Sequence, residues 1–420
     1  MNTEVLGKAL LSKNYIFSAF LLVILVFSGC SQPHTTTTAQ VPSPSVIRGD
    51  GALSVAWVAE AGVVYEVWYR TENNDETGTR WEGTITRSGI VAGASITGLT
   101  NGAAYYVWLR SQDGRLSAES SGTPRALPSS VPDGFVYVSG GTVIGSARYT
   151  MSMTIPVGSI YHNAGNTRTM PGVFVEGRTV EIESFFMAKH QVTRGLWYEV
   201  QSWAQSNNYF FQNTIAAPNN IDKNIPVTGI NWRDAIIWSN AYSEMSGLDP
   251  VYRSDGNVLR DSRNANAAAV DNATMDRTRN GFRLPTEVER EFAARGGEPG
   301  KADWMFHFAG SNNAEEVVWH HGNSPRQPQD AGTKSANRLG VFDLSGNVQE
   351  WGWGWMFWNR PVTPQTPVDG YPRGAPFTQK PMAGGGVGSN ITMSVVADRW
   401  GAPVTLVDPV VGFRIVRGAR

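Results

Sequence analysis

The stretch that decides the fold is Leu339-Gly-Val-Phe-Asp-Leu-Ser-Gly-Asn-Val-Gln-Glu-Trp351, in the second half of the chain. Its centre, Ser345-Gly346-Asn347, is a turn signal, because glycine and asparagine tolerate the left-handed backbone that tight turns require. Asn347 and Glu350 place hard oxygen ligands close together beside this turn, and such ligands suit Ca²⁺. The stretch therefore predicts a tight turn with an oxygen-rich edge.

Five further stretches flank it and extend the signal over most of the chain. They are residues 135–141 (FVYVSGG), 185–193 (FFMAKHQVT), 225–232 (IPVTGINW), 281–289 (GFRLPTEVE) and 411–417 (VGFRIVR). Together with residues 339–351 they resemble, in the same order, the formylglycine-generating enzyme and sulfatase-modifying factor family. The resemblance implies that residues 133–420 form an α+β domain of C-type-lectin-like fold, rich in loops around small sheets.

Two segments of this region carry helix signals. Residues 231–245 place apolar side chains at helical spacing, among them Trp232 and Ile236. Residues 285–294 open with a proline that we place at the first helical position, and a Gly-Gly pair follows their end. Both segments are therefore predicted to be helices.

The resemblance also implies a metal site at the central turn. In the family this turn binds calcium, which here would be held by Asn347 and Glu350 together with the carbonyl oxygens of Ser345 and Val348. The role of such an ion would be structural. The alternative is that Asn347 and Glu350 only hydrogen-bond the turn, as happens in lectin-fold relatives without metal.

The catalytic residues of the family are not matched. The oxidase needs a cysteine pair near its C-terminus, but the matching stretch, residues 384–398 (GGGVGSNITMSVVAD), contains no cysteine, and Cys30 is the only one in the chain. Cu(I) prefers thiolate ligands, so copper has no ligand set here. Another branch binds iron through His-x-x-x-His-x-Glu, a spacing that none of the six histidines shows. We therefore expect neither copper nor iron, and no enzyme activity of this family.

The C-terminal region resembles a second group on the same scaffold. The run of glycines from Gly384, the Ala-x-Arg of residues 397–399 and the Gly-Phe-Arg of residues 412–414 resemble the frame of variable proteins of diversity-generating retroelements, which include treponemal variable lipoproteins. The positions diversified in that group would be Gly388, Ser389, Asn390, Thr392, Met393, Asp398, Trp400, Gly401, Ala402, Leu406 and Val410.

This second resemblance predicts a ligand-binding face. We expect residues 387–406 to be exposed, with Trp400 as an aromatic anchor, because recognition concentrates in loops on rigid scaffolds. Alternating apolar residues at Val411, Phe413 and Ile415 predict a half-buried strand behind them. In the Trp/Gly-rich stretch 351–358, core packing is the preferred interpretation, and Phe357 and Trp358 are added to the ligand-binding candidates.

The N-terminal half contains a smaller unit. Residues 46–128 read as short strands with alternating apolar residues, separated by Gly and Asn turns. An early Trp57, a Tyr-x-Val-x-Tyr strand and a corner that leads to Tyr105 resemble a fibronectin type III domain, in which the corner tyrosine bonds back to nearby backbone. Modules of this kind are mostly spacers. A Pro/Ser linker, residues 126–132, then leads to the second domain.

The N-terminus has the pattern of a lipoprotein export signal. Lys8 and Lys13 precede the apolar run 15–27, and Ser-Gly-Cys30 follows, which resembles a bacterial lipobox. Residues 1–29 would be removed, Cys30 lipidated, and the Thr/Pro-rich residues 30–45 would form a tether. The alternative is an ordinary signal peptide with an incidental thiol. We expect an exported, lipid-anchored protein at the outer-membrane surface.

Composition limits the partners. A formal net charge of −1 argues against nucleic-acid binding, which normally requires a basic face. The sequence thus predicts a monomeric receptor or adhesin that binds a protein or other macromolecular ligand noncovalently and contacts the membrane only through its lipid. The alternatives are a divergent enzyme of the same family and a structural envelope lipoprotein.

Overall fold

The computed structural model describes residues 40–71, 77–157, 165–357, 360–374 and 376–419. The export signal, Cys30 and Trp358 lie outside these ranges. Within them, no helix is long and apolar enough to cross a membrane.

The N-terminal region is a β-sandwich, as its alternating pattern predicts. Its strands are β1 (Ser45–Gly49), β2 (Ala52–Val58), β3 (Tyr65–Arg70), β4 (Thr79–Arg80), β5 (Thr86–Ser88), β6 (Val91–Thr97), β7 (Tyr105–Ser111) and β8 (Ser120–Gly122). One sheet has the order β4-β3-β7-β8 and faces strands β1, β2, β6 and β5. Trp57 and Tyr65 meet edge to face in the core between them, 6.1 Å apart. The Tyr105 hydroxyl accepts a hydrogen bond from the Thr100 N–H at 2.9 Å, which confirms the predicted corner tyrosine.

The sandwich continues directly into the second domain. The sandwich sheet that contains β1 has the order β13-β10-β1-β2-β6-β5, in which β10 (Gly141–Ile144) and β13 (Thr179–Ile182) come from beyond the linker. Val46 pairs with Thr142 across that junction. Ala56 and Val91 of the sandwich belong to the same buried cluster as Phe292 of the second domain. The described residues from Val41 onward therefore form one compact unit with a shared sheet and core, rather than two modules joined only by a linker.

The second domain is a mixed α+β structure of small sheets and short helices. Its remaining strands are β9 (Phe135–Val138), β11 (Met151–Thr154), β12 (Thr167–Met170), β14 (Phe185–Ala188), β15 (Tyr252–Ser254), β16 (Asn257–Val258), β17 (Thr274–Met275), β18 (Gln349–Trp351), β19 (Lys380–Ala383), β20 (Trp400–Ala402), β21 (Val411–Phe413) and β22 (Val416–Gly418). They form the sheets β22-β14-β9, β11-β12, β16-β15-β17 and β20-β19-β18-β21. The fold class predicted from the sequence is confirmed.

The helices follow from their caps. They are α1 (Arg194–Gln205), α2 (Trp232–Met245), α3 (Ala267–Asp271), α4 (Glu287–Ala294) and α5 (Ala314–Val317). Asn231 caps α2 in a reciprocal pair with Asp234, and the predicted helix is present. In α4 the hydroxyl of Thr286 caps the N–H of Glu289. Pro285 therefore precedes the helix, and the prediction that it occupies the first helical position was wrong.

The strand near the C-terminus is buried on both faces. Val411, Phe413 and Ile415 are buried, as alternation predicts, but Gly412 and Arg414 between them are buried as well. The expectation of a half-buried strand was wrong, because the Arg414 side chain enters a charged cluster inside the domain.

Candidate functional site

The turn at Ser345-Gly346-Asn347 forms as the sequence predicts. Asn347 has a positive φ of 62°, in the left-handed region. Its side-chain oxygen accepts a hydrogen bond from the Gln329 N–H at 2.9 Å, and its amide nitrogen donates to the Gln329 carbonyl at 3.0 Å. The Ser345 hydroxyl donates to the Ser394 carbonyl at 2.7 Å, which ties the turn to the C-terminal segment. The polar side chains of the turn are thus engaged in hydrogen bonds to other parts of the protein.

Glu350, the expected charged ligand, lies in a fully buried cluster with two arginines. Its Oε1 accepts hydrogen bonds from Arg414 Nη2 at 2.9 Å and from Gln191 Nε2 at 3.0 Å. Its Oε2 accepts one from Arg290 Nε at 3.0 Å. Burial alone would raise the pKa of Glu350, but Arg414 and Arg290 outweigh burial and hold that pKa below its ordinary value.

These residues do not fit a calcium ion. A hard dication needs carboxylate and carbonyl oxygens that are free to face it. Here the guanidinium groups of Arg290 and Arg414 already neutralise Glu350, and the carbonyl of Val348 accepts from Gln191 Nε2 at 2.8 Å. The arginines supply positive charge where the resemblance implied a metal, so the alternative of a hydrogen-bonded turn describes the arrangement better.

The C-terminal segment is much less exposed than the sequence suggested. Five of the eleven positions expected to vary are buried: Gly388, Ser389, Thr392, Asp398 and Ala402. The other six are half-buried: Asn390, Met393, Trp400, Gly401, Leu406 and Val410. The expectation that residues 387–406 form an exposed face was therefore wrong.

The cause is local packing. A side chain at Gly388 would meet the Val410 side chain, so the backbone passes close to that residue. Ala402 pairs with Lys380 inside the sheet, and the short 3₁₀ helix Ile391–Ser394 buries Thr392. Within residues 387–410, the exposed ones are Pro403, Thr405, Val407 and Pro409. The segment therefore contributes mainly to the interior, with a few side chains at its margin.

The tryptophan-rich stretch packs into the core, as expected. Trp351, Trp353 and Trp355 are buried, and Phe357 is half-buried. Sequence reasoning missed what they surround: the Lys380 ammonium lies 3.7 Å from the Trp355 ring centre and 3.8 Å from that of Trp232. Burial holds the pKa of Lys380 well below its ordinary value. A lone lysine before a proline carries no sequence signal of such a contact.

Asp398 and Trp400 meet at a surface cleft of about 340 Å³. Residues 168–171 of β12 and its end, residues 360–362 and residues 397–400 form its walls. Arg168 Nη2 donates to Asp398 Oδ1 at 2.7 Å, and the Trp400 indole N–H donates to Oδ2 at 2.9 Å. The Arg168 guanidinium carbon lies 5.5 Å from the centre of the Trp400 ring. We refer to this feature below as the Trp400 cleft.

Asp398 is the group of this cleft whose protonation state depends on its surroundings. Asp398 is only 4% exposed, while the side chain of its partner Arg168 is 29% exposed. Burial raises the pKa of Asp398 to about 7, although Arg168 acts in the opposite direction. Perturbed titratable groups in clefts are candidates for functional sites. Arg168 lies 230 residues away in the chain, and no sequence pattern pointed to it.

Comparison with known proteins places the second domain in a family. Residues 133–419 match the sulfatase-modifying factor enzyme 1-like domain, which covers more than half of the chain. The protein therefore belongs to that family, and the resemblance drawn from the sequence is confirmed.

The individual proteins that resemble this chain are each less than 30% identical to it. A protein named "Chaperone protein LppX" from Paenibacillus barcinonensis is 29% identical over 258 residues, which cover 57% of this chain and 82% of the relative. Among solved structures, CarF has a TM-score of 0.48 at 21% identity and covers 69% of this chain and 99% of its own. Treponema denticola variable protein 1 has a TM-score of 0.48 at 23% identity, with coverage of 72% and 96%.

Proposed function

We propose that this protein is an exported, lipid-anchored surface protein that binds a macromolecular ligand noncovalently through the Trp400 cleft. The observation that carries the proposal is the cleft itself, a concave surface of about 340 Å³. A half-buried indole lines it together with an ion pair in which Asp398 is buried and Arg168 is partly exposed. Apolar walls with a few convergent polar groups are typical of binding sites. The relative from Paenibacillus is named a chaperone protein, a name that is compatible with a binding role.

The proposal differs from the sequence-based expectation in where the ligand contacts the protein. Of the positions expected to vary, Asp398 and Trp400 line the cleft, while four of the other nine are buried and five are half-buried. Residues from β12 and from the loop at 360–362 complete the site instead. The binding surface is therefore assembled from segments distant in sequence, with Trp400 as the aromatic anchor.

The test is binding of the full-length lipoprotein, in detergent micelles, to an array of purified extracellular matrix proteins and glycans. Trp400→Ala is expected to weaken the specific interaction by about 2 kcal/mol or more if the indole is an anchor. Trp81→Ala is the matched control, because Trp81 is also half-buried but belongs to the sandwich. Equal binding by both variants would refute a role for the cleft.

Anchoring and display are tested on cells. Cys30→Ala is expected to abolish metabolic fatty-acid labelling and release the protein from the membrane fraction. Added protease should degrade the wild-type protein on intact cells. Unchanged labelling of the variant, or protection from protease until the outer membrane is opened, would contradict this part of the proposal.

A further inference from the structure

The positive side chains that line the Trp400 cleft differ in whether a carboxylate neutralises them. Arg399 is neutralised by Glu287 through paired hydrogen bonds of 2.8 Å, and Arg168 contacts Asp398 at 2.7 Å. Arg360 has no acidic partner among the described residues, and its guanidinium carbon lies 5.8 Å from the Phe377 ring centre. The described part of the cleft therefore carries an excess of positive charge, at an exposed side chain.

The remaining wall is apolar. Met170, Pro171, Pro361 and Val362 line the cleft together with the Trp400 indole. A ligand group that fits both parts must join an anion to an apolar or aromatic body. Guanidinium groups bind carboxylates with favourable geometry, and the indole of tryptophan offers a large apolar face that prefers aromatic or other apolar groups.

We propose that the Trp400 cleft binds a carboxylate carried beside an apolar side chain of a protein ligand, and that this carboxylate replaces Asp398 as the partner of Arg168. The inference rests on the proposed function and specifies the chemistry of the same site. Arg360 supplies the second positive charge for the incoming group. The apolar body of the ligand packs between Trp400 and the proline-lined wall.

The competition is possible because Asp398 is weakly held as an anion. Besides Arg168, the neighbouring Arg399 lies beside it in the chain. On its inner side, a small cavity joins it to Glu287, Arg290 and Glu291 of the helix α4 region and to Glu350 of β18. With its pKa raised to about 7 by burial, Asp398 takes up a proton near neutral pH and then no longer neutralises Arg168.

The pH dependence follows from this arrangement. A ligand carboxylate has a pKa near 4 and stays ionised between pH 6 and pH 8. Over the same range Asp398 changes from mostly protonated to mostly ionised. If the ligand binds the protonated form, affinity rises about tenfold from pH 8 to pH 6.

The experiment uses N-acetyl-phenylalanine as the probe, with N-acetyl-phenylalaninamide as its uncharged counterpart. Binding to the full-length lipoprotein in micelles is followed by the indole N–H resonance of Trp400, assigned by its loss in Trp400→Phe. That proton reports directly on Asp398, to which it donates. We expect the acid to bind at least tenfold more tightly than the amide, and more tightly at pH 6 than at pH 8.

Three variants separate the roles of the residues. Arg360→Met should weaken acid binding about tenfold and leave amide binding unchanged. Asp398→Asn should bind the acid at pH 8 as tightly as the wild type does at pH 6, without pH dependence. Arg263→Met is the matched control and should change nothing, because Arg263 is an exposed arginine over a phenylalanine ring on another surface.

The outcomes distinguish this inference from the proposed function. Equal binding of acid and amide, or binding that weakens as pH falls, overturns the carboxylate specificity even if Trp400→Ala still weakens a macromolecular ligand. Preferential binding of a sulfated disaccharide over N-acetyl-phenylalanine also overturns the carboxylate specificity. Acid binding as described, with no effect of Trp400→Ala on macromolecular ligands, would support the inference and refute the proposed function.

Discussion

Glu350 and Asp398 are both buried carboxylates paired with arginine, yet the groups that compensate their charge differ in number and in burial. Glu350 contacts two guanidinium groups that are themselves buried, together with the Gln191 amide. Asp398 contacts Arg168, whose side chain is partly exposed. The pKa of Glu350 is lowered and that of Asp398 is raised to about 7. Burial acts on both, so the compensating charge decides which carboxylate holds the fold and which responds to its surroundings.

The contributions of Glu350 and Asp398 to stability depend on pH in opposite directions. The folded-state pKa of Glu350 lies below its unfolded value, so its contribution to stability is present at neutral pH and is lost in acid. For Asp398 the folded-state pKa is higher than the unfolded one. Its contribution is full in acid and is lost as pH rises through about 7.

The largest expected effect comes from breaking the Glu350 cluster. Glu350→Gln leaves Arg290 and Arg414 buried without a counter-charge, which should lower the free energy of unfolding by about 3–5 kcal/mol. Urea denaturation at pH 7 measures it. Glu315→Gln is the control, because the Glu315 side chain is 66% exposed, and it should cost less than about 1 kcal/mol. A small loss at Glu350 would remove the distinction between the two carboxylates.

Asp398→Asn should act in the opposite direction. The amide resembles the protonated acid, so the variant avoids the cost of a buried charge. The wild type loses stability over this range, so the difference in free energy of unfolding between the variant and the wild type should grow by on the order of 2–3 kcal/mol from pH 5 to pH 8. Denaturation at several pH values checks this. A constant difference across that range would mean that Asp398 does not titrate near neutrality.

Removal of Arg168, the partner of Asp398, tests the role of the compensating charge and should have a smaller effect. Arg168→Met takes away the group that opposes burial, so the pKa of Asp398 should rise further, by roughly one unit. The indole N–H resonance of Trp400 measures this pKa directly in a pH titration. A fall in the pKa, or none, would show that Arg168 does not stabilise the ionised form.

The smallest expected effect is that of calcium. Because arginines already neutralise Glu350, neither chelator nor millimolar calcium should shift the melting temperature by more than about 1 °C. Differential scanning calorimetry measures it. A drop of several degrees in chelator that Glu350→Gln abolishes would restore the calcium site implied by the family resemblance.

Much of the fold was predictable because its signals are local. The capped helix after Asn231, the turn at Asn347 and the corner at Tyr105 each depend on residues a few positions apart. The family resemblance rests on short motifs that follow one another along this chain in the family's order, and the match over residues 133–419 confirms it. The burial of Trp351, Trp353 and Trp355 also follows from composition, since large apolar rings are rarely left in water.

The site was less predictable because its charges meet only after folding. Motif by motif, residues 388–402 read as a variable surface, but their packing against Val410, Lys380 and the central turn buries most of them. Likewise, Glu350 reads as a calcium ligand until Arg290 and Arg414 are brought beside it from other elements.

The sequence by itself determined the family, the class of fold, the sandwich with its corner tyrosine and the absence of cysteine from the C-terminal stretch. Only the tertiary structure decided that the sandwich shares a sheet with the second domain and that Arg168 meets Asp398 beside Trp400. The physical reason is that turns, caps and strand patterns are set by neighbouring residues. Burial and charge compensation depend instead on residues far apart in the chain, such as Arg168 and Asp398 at a separation of 230 positions, and these set the chemistry of the cleft.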